Sequence, residues 1–302
     1  RLADAVIIAT PDALHVEPAV AAAELGYHIL LEKPMAPTAE GCALIVDAVR
    51  KAGVLFAVCH VLRYTPYTTV VKREVAAGRI GDIMSVQHLE PVGFWHHAHS
   101  YVRGNWRRAD ESSPMLLAKS CHDLDWLQFI VDRPIRRLSS FGGLSHFTER
   151  NRPAGAADRC VDCSVEASCP YSARRVYLSL YAAGRRKWPL DVIVHDVTEE
   201  DLLQALRTGP YGRCVYACDN DVVDHQVVAM EFAGGATGTF TMTGFNTGGP
   251  RRTQIFGTRG ELHTDGRTVT IHDFLSGERE VIDPRTAAGA IGDATARGGH
   301  SG

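Results

Sequence analysis

Apolar residues run along this chain in two rhythms, and the rhythm changes near residue 82. Ala5-Val6-Ile7-Ile8-Ala9 is an unbroken apolar run, as expected of a strand covered on both faces. Thr10-Pro11-Asp12 interrupts it, and a helical pattern then continues to about Leu25, with Gly26 as its stop. Tyr27-His28-Ile29-Leu30-Leu31 predicts a second strand. A second helix is predicted from Thr38, its N-cap, to Lys51, with Gly53 as terminator. Val54-Leu55-Phe56-Ala57-Val58 predicts a third strand. Strands alternating with helices imply parallel pairing in a doubly wound α/β sheet over residues 1–81.

From residue 82 to 302 the pattern is that of an α+β domain with a mostly antiparallel sheet. Residues 83–89 read as a strand and residues 114–131 as one long helix. Further strands are predicted at 227–232, 237–242, 253–256 and 269–272. Gly234-Gly235 and Asp265-Gly266 supply turns. Residues 148–171 are polar, contain Pro and Gly, and carry three cysteines, which predicts a long loop.

The charge balance, 32 basic against 35 acidic residues, gives a net charge of −3 and no electrostatic footprint for nucleic acid. No apolar run approaches the ~20 residues needed to span a bilayer, so no membrane partner is expected. Eight cysteines outside a small secreted scaffold fit reduced thiols or metal ligands, and a cytoplasmic setting is expected. The chain opens at Arg1-Leu2-Ala3-Asp4 without Met and stops at Gly299-His300-Ser301-Gly302 without a closing helix, so truncation at both ends is expected.

Candidate chemistry gathers at the strand ends, where doubly wound sheets hold their ligands. Three motifs fall there: Ala9-Thr10-Pro11, Glu32-Lys33-Pro34 and His60-Val61-Leu62-Arg63. A lysine directly after a buried strand can aim its ammonium at a substrate oxygen and stabilise negative charge there; the alternative is a strand-terminal surface lysine. Cys160-x2-Cys163-x5-Cys169 offers a knuckle suited to a structural zinc ion, with Cys214 or Cys218 as fourth ligand, against free or redox-active thiols. Cys42 and Cys59 read as small buried hydrophobes.

Ala9-Thr10-Pro11 with His15, then Glu32-Lys33-Pro34, then Cys121-His122-Asp123-Leu124-Asp125 resemble the glucose–fructose oxidoreductase / inositol dehydrogenase (Gfo/Idh/MocA) family over nearly the whole chain. The resemblance implies a Rossmann domain, here lacking its N-terminal part, followed by an open-faced α+β sheet domain. It also implies NAD or NADP, a sugar, polyol or sugar-derived acid as substrate, and homo-oligomers. Lys33 and His122 correspond to the lysine and helical histidine that meet the reacting hydroxyl. Ala9, Thr10, Pro11, His15 and Glu32 become cofactor-side candidates. Trp106 and Arg107, in Asn105-Trp106-Arg107, resemble an element approaching the cofactor from the second domain.

Two departures stand out. The glycine-rich phosphate loop is absent and is expected upstream of Arg1, so this chain is expected to bind dinucleotide poorly. Many family members carry Asp four residues before the helical histidine, where this chain has Ala118. Lys119 and His122 are spaced to share a helix face, with Asp125 near it. Lys119 is a substrate-hydroxyl donor or a surface partner of Asp123. Arg63 is a binder of nicotinamide or a substrate carboxylate, or an interdomain brace. Tyr101 is a substrate wall or core packing, His15 a crevice residue or a capping one, and the pair Asp224 and His225 a minor substrate candidate or a sheet-end pair. A hydrolase using NAD in a transient redox cycle and a non-catalytic metabolite sensor are the alternative functions.

Overall fold

The computed structural model describes residues 2–287, so Arg1 and the closing 288–302 lie outside the described residues. Three parallel strands, β1 (Ala5–Ile8), β2 (His28–Leu31) and β3 (Phe56–Val58), form the first sheet in the order β1-β2-β3. They are joined by α1 (Val16–Glu24) and α2 (Ala39–Ala52). The Thr38 hydroxyl accepts from Gly41 N at 3.1 Å and caps α2, while Gly53 ends it at φ 65°. Both helices cover the face carrying Ile8, Ile29 and Leu31. On the other face Ile7 stays 73% exposed, so the uniform apolar run of β1 is covered on one side only.

Next, α3 (Pro66–Ala76) leads to β4 (Ile83–Pro91), the central strand of an eight-stranded sheet. Then come α4 (Phe94–His97), running on into a π-helical turn at Ala98–Arg103, α5 (Met115–Ala118) and α6 (Cys121–Val131). The remaining helices are α7 (Ala173–Ala182), α8 (Leu190–Ile193) and α9 (Glu199–Thr208). The remaining strands are β5 (Ile135–Gly143), β6 (His225–Phe232), β7 (Thr237–Thr243), β8 (Arg252–Gly257), β9 (Gly260–Thr264), β10 (Val269–Asp273) and β11 (Arg279–Ile282). Their order is β11-β10-β9-β8-β4-β7-β6-β5, antiparallel throughout except β4 with β7. Gly234-Gly235 closes the β6–β7 hairpin with both φ near 90°, and the Asp265 carboxylate caps the β9–β10 turn through the amides of Arg267 and Thr268.

One face of this sheet packs on α3 and α6 around Val86, Trp126, Ile130, Phe240 and Ile255. Residues 62–80 contribute Leu62, Tyr67, Val70, Val71 and Ile80 to that larger core. The opposite face bears a broad depression of about 650 Å³ lined by polar side chains such as Gln87, Thr239, Thr241 and Gln254. Among the described residues no helix is long and apolar enough to cross a membrane.

The expected single helix over 114–131 is two helices. Lys119 closes α5 at φ −104°, ψ −53°, and Ser120 opens α6 at φ −96°, ψ 5°. The chain therefore bends between Lys119 and His122, and the simple i, i+3 face does not apply across that bend.

Candidate active site

The register of the first sheet builds the site's first wall. Ile8 pairs with Leu31, and Leu31 with Val58. Ala9-Thr10, Glu32-Lys33 and Cys59-His60 therefore leave the sheet side by side at its carboxyl edge. Ala9, Thr10 and Pro11 are exposed, open to a ligand at the position expected for a cofactor. Glu32 turns back and accepts from Lys33 N at 3.1 Å. His15 is fully buried, with its ring nitrogens each 2.8 Å from a carbonyl, Pro34 O and Thr10 O. It braces the two turns against each other, which corrects its expected place facing the crevice.

Helix α6 supplies the second wall. Lys33 Nζ crosses to donate to Ala118 O at 2.8 Å, four residues before His122. The His122 ring stands 5.9 Å from the ring of His60, edge to face. The positive charge of Lys33 is felt at both His60 and Cys121. An ammonium from the first sheet and an imidazole from α6 thus share one locality. His122 is 2% exposed.

The residue after His122 anchors the helix. Asp123 is fully buried, with Arg251 Nε at 2.6 Å and His88 Nε2 at 3.0 Å. His88 in turn meets the Thr253 hydroxyl at 2.7 Å and stacks on Trp126, centroids 4.9 Å apart. Arg251 also lies 2.9 Å from Glu90, and Glu90 is 3.3 Å from Lys119 Nζ. Burial would raise the Asp123 carboxyl pKa, yet Arg251 and His88 outweigh it and hold the group below the usual carboxylate range. Burial lowers the Lys119 ammonium, against the opposing pull of Glu90. Lys119 is therefore a buried partner of Glu90, 6% exposed, which corrects its expected surface pairing with Asp123.

Other expected binders are occupied. Arg63 grips Asp125 with two bonds, Nε to Oδ2 at 2.7 Å and Nη2 to Oδ1 at 2.5 Å. Arg63 comes from the turn after β3 and Asp125 from α6, so the pair is the interdomain brace, and neither was expected to be spent on the other. Arg107 is held by Asp219 at 3.0 Å and Glu111 at 2.9 Å, which corrects its assignment to the cofactor. Tyr101 is 5% exposed and ringed by His96, His97 and Trp106. It is core at the back of the site, not an open wall. Trp106 remains 36% exposed beside it. Asp224 is fully buried and accepts from the Ser145 and His146 amides at 2.9 and 2.7 Å, with His225 Nδ1 at 2.7 Å. That pair is structural, because its acceptors are consumed by the loop after β5.

The cysteine loop is held by Arg103, which is fully buried and donates to Arg213 O at 2.7 Å and to Tyr171 O at 2.8 Å. Cys160, Cys163, Cys169 and Cys214 line one small cavity beside it. The Cys218 thiol is turned to Cys214 O at 3.2 Å. All eight cysteines are free, and among the described residues no three His, Cys, Asp or Glu side chains are placed to hold a metal ion. The expected zinc set is not assembled. The loop is pinned instead by Arg103 and by the packing of Cys160, Tyr171 and Cys214 into apolar clusters.

Sequence reasoning passed over His60, Glu90 and Arg251 as members of the site. The first sits in a motif valued for Arg63. The other two lie on or beside strands, where a buried charge carries no local pattern.

Residues 2–60 match the oxidoreductase family model for the NAD-binding Rossmann fold, and residues 68–263 match the GFO/IDH/MocA C-terminal domain model. A 2,7-anhydro-N-acetylneuraminate hydratase of Escherichia coli (strain K12) is 33% identical over 147 residues, covering 48% of this chain and 38% of that protein. A levoglucosan dehydrogenase of Pseudarthrobacter phenanthrenivorans is 32% identical over 124 residues, 41% of this chain and 32% of the relative. A solved levoglucosan dehydrogenase in complex with NADH and levoglucosan shares the fold, with TM-score 0.62 and 22% identity over 93% of this chain and 60% of that one. The chain spans less than two thirds of the length of each of these relatives. Together the two family models cover the first sheet, most of the second, and the positions of Lys33 and His122, and the chain belongs to the GFO/IDH/MocA oxidoreductase family.

Proposed function

We propose that this chain is the catalytic part of a nicotinamide-dependent oxidoreductase, acting on a secondary hydroxyl of a sugar, cyclic polyol or sugar-derived acid. The observation that carries the reading is the crossing of Lys33 from the first sheet to Ala118, at the foot of the helix bearing His122. The exposed strand-end residues Ala9, Thr10 and Pro11 fit a dinucleotide, and Glu32 stands beside them. NAD or NADP, when bound, accepts the hydride. Lys33 holds the substrate oxygen and stabilises charge on it, and His122 takes the hydroxyl proton. Its neighbour Asp123 keeps the imidazole placed through Arg251 and His88. Trp106, half open at the rim, is the remaining contact from the second domain.

Lys33→Met tests this. Among the described residues its ammonium makes one hydrogen bond, to the Ala118 carbonyl, so the folded state survives while turnover of a sugar or polyol panel with NAD and NADP falls by at least about a hundredfold. Full activity in the variant refutes the assignment. Net formation of reduced cofactor separates this reading from a second one, a transient redox cycle without net oxidation, which the hydratase relative favours. The uncovered polar face of the eight-stranded sheet supports a homo-oligomer, read by light scattering.

A further inference from the structure

His122 is 2% exposed, so a proton that it takes from a substrate hydroxyl has no direct way to water. We propose that His60 is the exit: a proton relay that passes the proton from His122 to bulk solvent. The inference rests on the reading of His122 as the base.

The geometry is specific. His60 follows β3 at the same sheet edge as Lys33, and its side chain is 26% exposed. Its ring meets that of His122 edge to face with centroids 5.9 Å apart, so the two rings are near neighbours, and a water bonded to a nitrogen of each carries the proton between them. On its buried side His60 Nδ1 faces Asp125 Oδ2 at 3.8 Å, without a hydrogen bond to any described residue. Asp125 is itself fixed by the two bonds from Arg63 and only 14% exposed. A carboxylate held at that distance stabilises a passing imidazolium without locking the ring. The charged groups around His60 are Asp125, Arg63 and Lys33, with His122 opposite. Burial and the two cations keep the resting ring neutral, ready to accept.

The atoms balance. The carbinol O–H breaks toward His122 while its C–H pair leaves as hydride to the bound nicotinamide cofactor. The proton on His122 moves to one nitrogen of His60, and the other nitrogen releases a proton to water. The products are the ketone, the reduced cofactor and one proton in solution.

The experiment reads proton movement without substrate. In the full 302-residue chain labelled with ¹⁵N, ring N–H exchange of His122 with water is measured for wild type, His60→Phe and His60→Gln. Exchange slows about tenfold or more in His60→Phe, and added imidazole restores it. Asp125→Asn slows it as well, because His60 loses its carboxylate. Exchange unchanged in all three variants overturns the relay. Where the chain turns over a polyol, His60→Gln keeps its KM, loses kcat and regains it with imidazole; an unaltered kcat overturns the relay too. The exchange measurement needs neither cofactor nor substrate, so its outcome decides the relay alone and leaves the oxidoreductase reading to the Lys33→Met comparison.

Discussion

Acidification should unfold this protein from the region of three buried histidines. His96, His97 and His99 sit on α4 and the π-helical turn that follows it, each under 10% exposed. His97 stacks on Phe147 at 5.4 Å and His99 on Tyr211 at 4.7 Å. Burial lowers their pKa values to about 2, about 4 and about 3 respectively. All three are neutral in the fold, whereas in the unfolded chain each binds a proton near pH 6.5. Between pH 6.5 and about 4 the unfolded state therefore holds more protons, and stability falls as pH falls. At pH 5 each histidine costs roughly 2 kcal/mol, about 6 kcal/mol for the three, against a total of about 5–15 kcal/mol for a folded domain. Urea unfolding at pH 7 and pH 5, at constant ionic strength, measures the difference. The His97 Nδ1 has no hydrogen-bond partner among the described residues, so His97→Phe should remove about a third of the pH-dependent loss. A loss below about 2 kcal/mol between the two pH values would refute the reasoning.

Two further changes probe the framework. Asp123→Asn removes the buried carboxylate that Arg251 and His88 share and should lower stability by about 3 kcal/mol, seen by calorimetry as a midpoint roughly 10 °C lower. Gly212→Ala would place a Cβ only 1.8 Å from Leu206 O. The backbone must shift there, and a loss of about 2 kcal/mol or more in urea titration is expected.

The first sheet and its helices were legible because each element carries its own punctuation: Thr38 and Gly53 bound α2 where expected, and Gly26 ends α1 at φ 78°. The strand β5 was not foreseen. Seven of its nine residues are exposed, so no alternation of apolar and polar positions marks it. The break between α5 and α6 was missed because residues 115–131 contain neither Gly nor Pro and Ser120, the N-cap of α6, lies inside a continuous apolar pattern; Lys119 beside it pairs with Glu90 on a distant strand. Lys33 and His122 stand out in the sequence through motif context and not through hydrophobic pattern, and the fold brings them into one locality. Arg63, Arg107 and His15 were read as available because a sequence shows a side chain's chemistry but not the partner that consumes it.

The ion pairs beneath α6 separate two tasks along the backbone. Asp123 bolts the helix to β4 and to Arg251, beside the imidazole that we propose as the base. A helix fixed from below by charge does not depend on the loops above it for its orientation. Those loops can therefore be exchanged or lengthened to admit differently shaped alcohols while the imidazole keeps its station, which makes the rim, not the helix, the place to redesign selectivity.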